Sequence, residues 1–424
     1  MFVTLEDPRA AVQGSRDPLG AQMVWAHFGR KVVTNLTTVS ASVRAFTTLL
    51  LGRYLIEQLL EADRIEEDEA ISVFMRWEQI AAYAQYVILD EQEFRGVRRA
   101  RRFVNEYGKH LPISDTPRGM ILADQKTYGV WGLYSAPARV SGLIEDGPIG
   151  LTAEARDYVE GEYSTILQPV QKQLLQLLEQ DGWLNAGKNS KMLKQIAHLL
   201  RPDFTASERQ FYGEWLRDAR HIDDAFCSER QARLAPMVRR RLDADAEINR
   251  SVLLDLEKQL DDVDSDLRLW LNRIRRLEAT LAPAEALFEY VLAQPGRRAD
   301  EAARQVAEHW GDRVPNLDEP IASILSEVIT ACGDEQANLI EQCDCAMASG
   351  DYREAIRALL TWNEHVMEQR GGAPWVCEHN GTLDVRYGIV EQEMPGSDDL
   401  ADLWRNSYFM NALLNVVFQL ENRR

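Results

Sequence analysis

The stretch LLDLEKQLDDVDSDLRLWLNRIRRLEATL, residues 253–281, decides the fold class of this chain. An apolar residue recurs at every third or fourth position without a gap: Leu253, Leu256, Leu260, Val263, Leu267, Trp270, Ile274, Leu277 and Leu281. A repeat of about 3.5 residues keeps one narrow apolar seam on one face of a helix, which is the condition for coiled-coil packing. The stretch therefore predicts a long helix that stops at Pro283 and packs on a partner helix.

The heptad does not determine whether the partner helix belongs to the same chain or to another copy, because an antiparallel pair within one chain has the same period as a pair between chains. In this heptad, Leu occupies most of the a positions, and Val263, Trp270 and Leu277 are among the d positions. This departs from the Ile and Leu alternation of parallel dimers. Packing within the chain is the preferred interpretation, and a homo-oligomer is the open alternative.

At 424 residues the chain exceeds the size at which one hydrophobic core stops growing, so several domains are expected. Helical periodicity dominates, and the prediction is a mainly α, multidomain protein. The expected domains are an N-terminal helical bundle (1–109), a compact Gly- and Pro-rich module (110–160), a helical domain with the heptad (161–297) and an acidic helical domain with a β-hairpin (298–424).

The composition indicates a globular cytoplasmic protein. No apolar run approaches the roughly 20 residues that span a bilayer, and no signal-peptide pattern begins the chain. The five cysteines are odd in number and scattered, which favours free thiols in a reducing compartment over a disulfide framework. Only Cys343 and Cys345 are close, and one such pair is a weak metal signal.

The net charge of −19 is unevenly distributed. Residues 1–150 hold 17 Lys and Arg against 19 Asp and Glu, whereas the remainder holds 31 against 48. Nucleic-acid affinity comes largely from neutralisation of phosphates by Lys and Arg. A nucleic-acid contact, if the chain makes one, is therefore expected in the N-terminal third.

That third contains the strongest basic cluster of the chain, with Phe94 and Phe103 at its edges: Arg95, Arg98, Arg99, Arg101 and Arg102. Guanidinium groups suit phosphate and carboxylate oxygens equally. Two interpretations stay open. The cluster binds a phosphate backbone, or it pairs with acidic groups such as the run 66–69 or a partner surface.

The segment Arg139-Val-Ser-Gly-Leu-Ile144 is followed by Gly147-Pro148 and by Ile149-Gly-Leu-Thr152 at the start of a new helix. Over residues 110–160 this order resembles the closing part of a winged-helix domain. The resemblance implies a recognition helix at 125–141 whose phosphate or base contacts are Lys126, Tyr128, Ser135 and Arg139. Gly129, Gly132 and Pro137 depart from the family pattern, since Gly and Pro disfavour a helix interior.

In the C-terminal region the spacing of apolar residues changes from the helical period to the alternation of β-strands. Alternating runs on both sides of Asn380-Gly381 predict a β-hairpin with a type I′ turn, because both residues tolerate positive φ. A final helix is expected from Asp398 to about Glu421, with an apolar surface broad enough to require burial.

No motif for catalysis, a cofactor or a metal stands out, and none of these sites is predicted. The stretch Gly182–Asn189 has the spacing of a phosphate-binding P-loop but carries Asn where a hydroxyl should reach magnesium, and it follows a helical pattern. Asp261, Asp262, Asp264 and Asp266 flank the heptad seam, where a solvated helix face explains them.

These observations favour a non-catalytic scaffold or adaptor subunit of a bacterial multiprotein assembly. An assembly that acts on DNA, in genome maintenance or antiviral defence, fits the architecture. Protein partners are expected and a membrane contact is not. Two alternatives stay open: a winged-helix DNA-binding protein or regulator, and an enzyme of unrecognised type whose active site is built from distant residues.

Overall fold

Helices dominate the structure, a computed structural model that describes residues 17–40, 42–147, 149–222, 224–241, 248–260, 265–317, 320–389 and 394–421. The first helices are α1 (Ala21–Arg30), α2 (Val43–Glu61), α3 (Ala70–Leu89), α4 (Val97–Tyr107), α5 (Gln125–Tyr128), α6 (Val130–Val140), α7 (Ala153–Leu167), α8 (Gln171–Leu178), α9 (Ser190–Leu199), α10 (Ala206–Tyr212) and α11 (Ala225–Arg241). The later ones are α12 (Arg250–Gln259), α13 (Ser265–Leu292), α14 (Ala299–Trp310), α15 (Leu325–Cys332), α16 (Asp334–Ser349), α17 (Tyr352–Gln369), α18 (Ser397–Leu400) and α19 (Met410–Leu420).

Short 3₁₀ turns occupy Glu67–Glu69 and Ile321–Ile324, and Gly213–Arg217 is π-helical. The strands form two antiparallel pairs, β1 (His110–Ile113) with β2 (Gly182–Asn185), and β3 (Val376–His379) with β4 (Thr382–Val385). The mainly α prediction is confirmed, and so is the C-terminal hairpin. Among the described helices, none has both the length and the apolar character needed to cross a bilayer.

The contacts divide the chain into two units, residues 1–32 with 247–410, and residues 33–246 with 411–424. Each unit combines segments from distant parts of the sequence. The four domains expected from the sequence stay a prediction.

In the unit of residues 33–246, α2 and α3 form the centre. Their apolar residues are buried around most of each helix, which is typical of helices that lie inside a core. Gly52 of α2 allows the close approach: a Cβ atom there would lie 2.5 Å from ring carbons of Phe74 and Trp77. This helix pair is the platform on which α4 and β1 lie.

Strand β1 is attached to α3 by side-chain hydrogen bonds. The Tyr83 hydroxyl donates to the Pro112 carbonyl oxygen (2.9 Å), and the Gln79 side-chain amide donates to the Ser114 carbonyl oxygen (2.7 Å). Strand β2 pairs with β1 so that Trp183 lies opposite Pro112. These contacts place the end of α4, β1 and Trp183 beside one another.

In the other unit, α13 is the longest helix and most of its apolar residues are buried. The expected single helix over the heptad is wrong. Helix α12 ends at Gln259, Leu260 has an extended backbone (φ −79°, ψ 125°), and α13 begins at Ser265. The two helices pack on each other, and a Glu257–Arg275 ion pair of 2.9 Å joins them.

The expected stop at Pro283 is also wrong, because α13 continues to Leu292. A proline inside a helix costs about 3 kcal/mol. Burial of Leu287, Phe288 and Val291 beyond it offsets that cost, since each large apolar side chain contributes about 1.5–3 kcal/mol when fully buried.

The expected final helix is divided as well, into α18 and α19. Tyr408 and Phe409 between them have φ values of 47° and 61°, which no α-helix accommodates. The intervening segment instead satisfies the buried carboxylate of Glu278. Its two oxygens accept hydrogen bonds from the backbone N–H groups of Arg405 and Asn406, the Asn406 amide and the Tyr408 hydroxyl, at 2.6–3.1 Å.

Candidate functional site

Helix α4 carries most of the basic cluster. Ala100 and Phe103 are buried beneath it, whereas Arg98, Arg101 and Arg102 are exposed. Residues three and four apart share one face of a helix. The three exposed arginines therefore form one row, here named the arginine stripe.

The other two arginines of the cluster have different surroundings. Arg99 is half-buried, and its guanidinium donates to the Pro117 carbonyl oxygen. Arg95 precedes the helix, ahead of Gly96 with its φ of 85°, and lines a cavity near Glu78. Arg95 is itself exposed. Within the row, Arg101 donates to the Gln92 side-chain oxygen and lies over the Tyr86 ring. The cluster thus divides by position, into a row on the exposed face of α4 and two arginines outside that row.

The arginine stripe lowers the stability of its own helix. It begins in the first turn of α4, where the helix dipole disfavours cations. That turn holds no acidic residue, and Gly96 provides no side-chain cap. Arg98 repels Arg101 and Arg102 at helical spacing, and the 4.0 Å Arg102–Glu106 pair offsets little because both side chains are exposed. A helix whose charges and cap lower its own stability, without a compensating gain elsewhere in the fold, is typical of a binding site.

Two exposed aromatic rings adjoin the stripe. Tyr107 at the end of α4 and Trp183 of β2 meet edge to face, with ring centroids 5.5 Å apart. The two residues are 39% and 56% exposed. Phe103 links them to the stripe, since its ring lies 6.0 Å from that of Tyr107 and 5.8 Å from the Arg102 guanidinium. The continuous surface formed by Arg98, Arg101, Arg102, Tyr107 and Trp183 is here named the α4 surface.

Nothing in the sequence pattern identified the two rings. Trp183 lies within the P-loop-like match that begins at Gly182, but that match concerns phosphate binding and does not predict an exposed ring. Helix α8 precedes the match, as the helical pattern before it predicts, and part of the match forms strand β2, which α9 follows. The pairing partner is the antiparallel β1 rather than the parallel sheet that a P-loop requires.

The residues implied by the winged-helix resemblance divide into two groups. Lys126 and Tyr128 lie on α5 and are exposed. Ser135 accepts a hydrogen bond from the Arg53 guanidinium (3.2 Å), and Arg139 donates to the Glu145 carbonyl oxygen (3.3 Å). Ser135 and Arg139 are therefore engaged by their own chain.

The expected recognition helix is two helices, because Gly129 between α5 and α6 has an extended backbone. Beyond α6, Ile144 and Leu151 form an antiparallel bridge, and the Thr152 side chain caps α7. Helix, bridged loop and capped helix follow in the order that the resemblance implies. The winged-helix interpretation itself stays a prediction.

A cavity of about 810 Å³ lies in the same unit as the α4 surface. Its lining includes Glu78, which is buried. Glu78 accepts hydrogen bonds from the Val130 N–H (2.7 Å) and the Gln125 amide (2.9 Å). Burial raises the pKa of Glu78 to about 7, against the opposite effects of these hydrogen bonds and of Arg95. One carboxylate oxygen accepts from the first residue of α6 and the other from the first residue of α5, so the geometry favours a structural role for Glu78.

The heptad seam lies in the interior of its unit. Val263 lies outside the described residues, together with Asp261, Asp262 and Asp264. Every other seam residue is buried: Leu253, Leu256, Leu260, Leu267, Trp270, Ile274, Leu277 and Leu281. The packing of α12 on α13 gives the seam a partner within the chain. The Cys343 thiol is buried and that of Cys345 is exposed, so these two do not converge on one ion.

Comparison with known proteins assigns no family to this geometry. The chain matches no protein-family model, and no significant match is found among the curated proteins or the solved structures. The function is therefore inferred from the α4 surface itself.

Proposed function

We propose that this chain is a non-catalytic adaptor subunit that binds an acidic segment of a partner protein through the α4 surface. The observation that carries the proposal is the continuity of exposed Trp183 and Tyr107 with the arginine stripe. Trp, Tyr and Arg are the residues most enriched among those that dominate protein–protein binding energy.

The chemistry of the surface also favours an acidic partner. Three guanidinium groups in a row offer charge-assisted hydrogen bonds to carboxylates. The adjoining rings offer apolar area that a partner side chain covers. A carboxylate bound at the first turn of α4 would also relieve the unfavourable charge arrangement there, because anions are stabilised at a helix N-terminus.

A pull-down of the tagged chain from its native host, with quantitative mass spectrometry, tests the proposal. We expect stoichiometric partners that survive nuclease treatment. Arg98→Glu with Arg102→Glu should release them, as should Trp183→Ala.

Matched controls stand elsewhere on the chain. Arg304→Glu with Lys258→Glu makes the same charge change at two exposed residues, and Phe226→Ala removes an aromatic ring that is 73% exposed. Both controls should retain the partners. The assigned surface would be contradicted if the partners remained bound to the α4 variants, or if the control variants lost the partners as well.

Binding of single-stranded nucleic acid is a second candidate, which the same rings favour. Aromatic side chains beside arginines stack unpaired bases and neutralise phosphates. Three arginines predict a log–log salt slope of about −2. Titration with a single-stranded oligonucleotide, followed by Trp fluorescence, separates the candidates. Quenching that Trp183→Ala abolishes, with partners lost after nuclease, would favour the nucleic acid over the acidic protein.

A further inference from the structure

The β3–β4 hairpin gathers three metal-binding side chains on one face. Cys377 pairs with Asp384 across the strands, and His379 pairs with Thr382. Alternate residues of a strand point to the same face. Cys377, His379 and Asp384 therefore share one face, while Val376 and Leu383 of the opposite face are buried.

The distances between the ligand atoms suit a tetrahedral ion. The Cys377 Sγ lies 3.5 Å from the His379 Nδ1 and 4.0 Å from an Asp384 carboxylate oxygen. All three ligand atoms lie within 4.8 Å of one another. A zinc ion with bonds of about 2.3 Å to sulfur and about 2.05 Å to nitrogen separates those two atoms by about 3.6 Å at the tetrahedral angle. The sulfur–nitrogen spacing already meets this value, and the sulfur–oxygen spacing needs an adjustment of about 0.4 Å.

The turn and the buried face hold the hairpin in place. Asn380 and Gly381 have φ values of 52° and 80°, as a type I′ turn requires. Backbone hydrogen bonds also join Leu383 to Gly296 and Arg297, both at 2.9 Å. The exposed ligands therefore stand on a fixed support, which limits the ordering that binding would require.

We propose that Cys377, His379 and Asp384 form a binding site for a divalent transition-metal ion, with Zn²⁺ as the preferred occupant. Thiolate and imidazole ligands select late first-row metals over Mg²⁺ and Ca²⁺. Three protein ligands leave one coordination position for water or for a group from a partner. His379 and Asp384 are exposed and Cys377 is half-buried, so the site is open to solvent.

Cobalt titration of the full-length reduced chain tests this site. A Co²⁺–thiolate pair absorbs in the near ultraviolet, and Zn²⁺ displaces the cobalt without absorbing. We expect one Co²⁺ per chain and loss of its thiolate absorption on addition of Zn²⁺. Cys377→Ser should abolish that absorption. His379→Ala and Asp384→Asn should each weaken binding at least about tenfold. Loss of a residue that only hydrogen-bonds to a metal ligand already weakens binding by about tenfold or more, and these two residues are ligands themselves.

Cys345→Ser is the matched control, because it removes an exposed thiol that lies outside the hairpin, and it should leave binding unchanged. Circular dichroism verifies that each variant is folded, and the exposed His379 and Asp384 keep the test valid if Cys377→Ser is unstable. A wild-type chain without thiolate absorption would overturn the proposal. Absorption that survives Cys377→Ser and disappears in Cys345→Ser would do so as well.

Discussion

Replacement of Arg98 by Glu should stabilise the chain while it removes partner binding. Arg98 is the second residue of α4 and is exposed. It stands three residues before Arg101 and four before Arg102, at a helix start without an acidic residue or a side-chain cap. The exchange converts two repulsions into attractions and puts an anion at the positive end of the helix.

The magnitude follows from these pairs. Each helical pair of like charges costs about 0.2–0.5 kcal/mol, and the corresponding opposite pair contributes a similar amount. The interaction with the helix dipole adds about 0.3–1 kcal/mol at low ionic strength. Salt screens such exposed charges. We therefore expect a net gain of about 1 kcal/mol in the free energy of unfolding.

Differential scanning calorimetry measures the effect. The transition of the unit that contains α4 should rise by about 2–4 °C. Arg304→Glu is the matched control on α14, because Asp300, Glu301 and Glu308 stand at helical spacing around Arg304. The same exchange there replaces attractions by repulsions and should lower the free energy of unfolding by about 1 kcal/mol.

A lower transition temperature for Arg98→Glu would refute the reasoning, since it would make Arg98 a stabilising residue. Stabilisation with unchanged partner binding would confirm that Arg98 repels its neighbours but contradict the assigned role of the stripe. Loss of function together with a gain in stability is the signature of a residue retained for binding.

Three further predictions concern stability. Glu278→Ala should cost about 3–5 kcal/mol in urea unfolding, because it leaves the buried donors of Arg405, Asn406 and Tyr408 without their acceptor; Glu278→Gln, which keeps a carbonyl oxygen, should cost less. The pKa of Glu78 is raised from 4.5 to about 7, so the folded state binds more protons between these values and stability should fall as pH rises through that window. The difference between wild type and Glu78→Gln in a pH series measures this, and equal slopes would contradict it. Gly52→Ala should destabilise by about 1–3 kcal/mol despite the better helix propensity of Ala, because its Cβ would overlap Phe74 and Trp77; thermal unfolding at or above the wild-type temperature would disprove the clash.

The C-terminal hairpin was predictable because its turn is chemically specific. Asn380-Gly381 permits positive φ at both positions, and the flanking residues alternate. The same register places Cys377 opposite Asp384 and leaves His379 on their face. The sequence thus contained the signal for the metal site, although spacing rules for Cys and His pairs along the chain do not detect ligands joined across strands.

The heptad shows what periodicity leaves open. Residues 253–281 keep the apolar repeat throughout, yet α12 ends at Gln259. Both helices present the repeat to the interior, so a helical hairpin satisfies the same pattern as one continuous helix. The division of the final helix depends on Glu278, more than 100 positions earlier, whose buried carboxylate requires the donors between α18 and α19. Local sequence does not reveal such a requirement.

The α4 surface was predictable only in part. The arginines were visible as a cluster, but which of them form one exposed row depends on which face of α4 is buried. Trp183 reaches Tyr107 because β2 pairs with β1, about 70 positions away in the sequence. Short strands in a helical chain carry too few residues to show a clear alternation.

Photo-crosslinking in the native host, from a benzophenone amino acid that replaces Trp183, would show whether the α4 surface binds an acidic partner. The same replacement at Phe226 is the control. We expect a nuclease-resistant adduct with one acidic partner protein from position 183, no such adduct from position 226, and loss of the adduct when Arg98→Glu is added. Equal adducts from both positions, or an adduct that Arg98→Glu leaves unchanged, would contradict the α4 surface as the binding site.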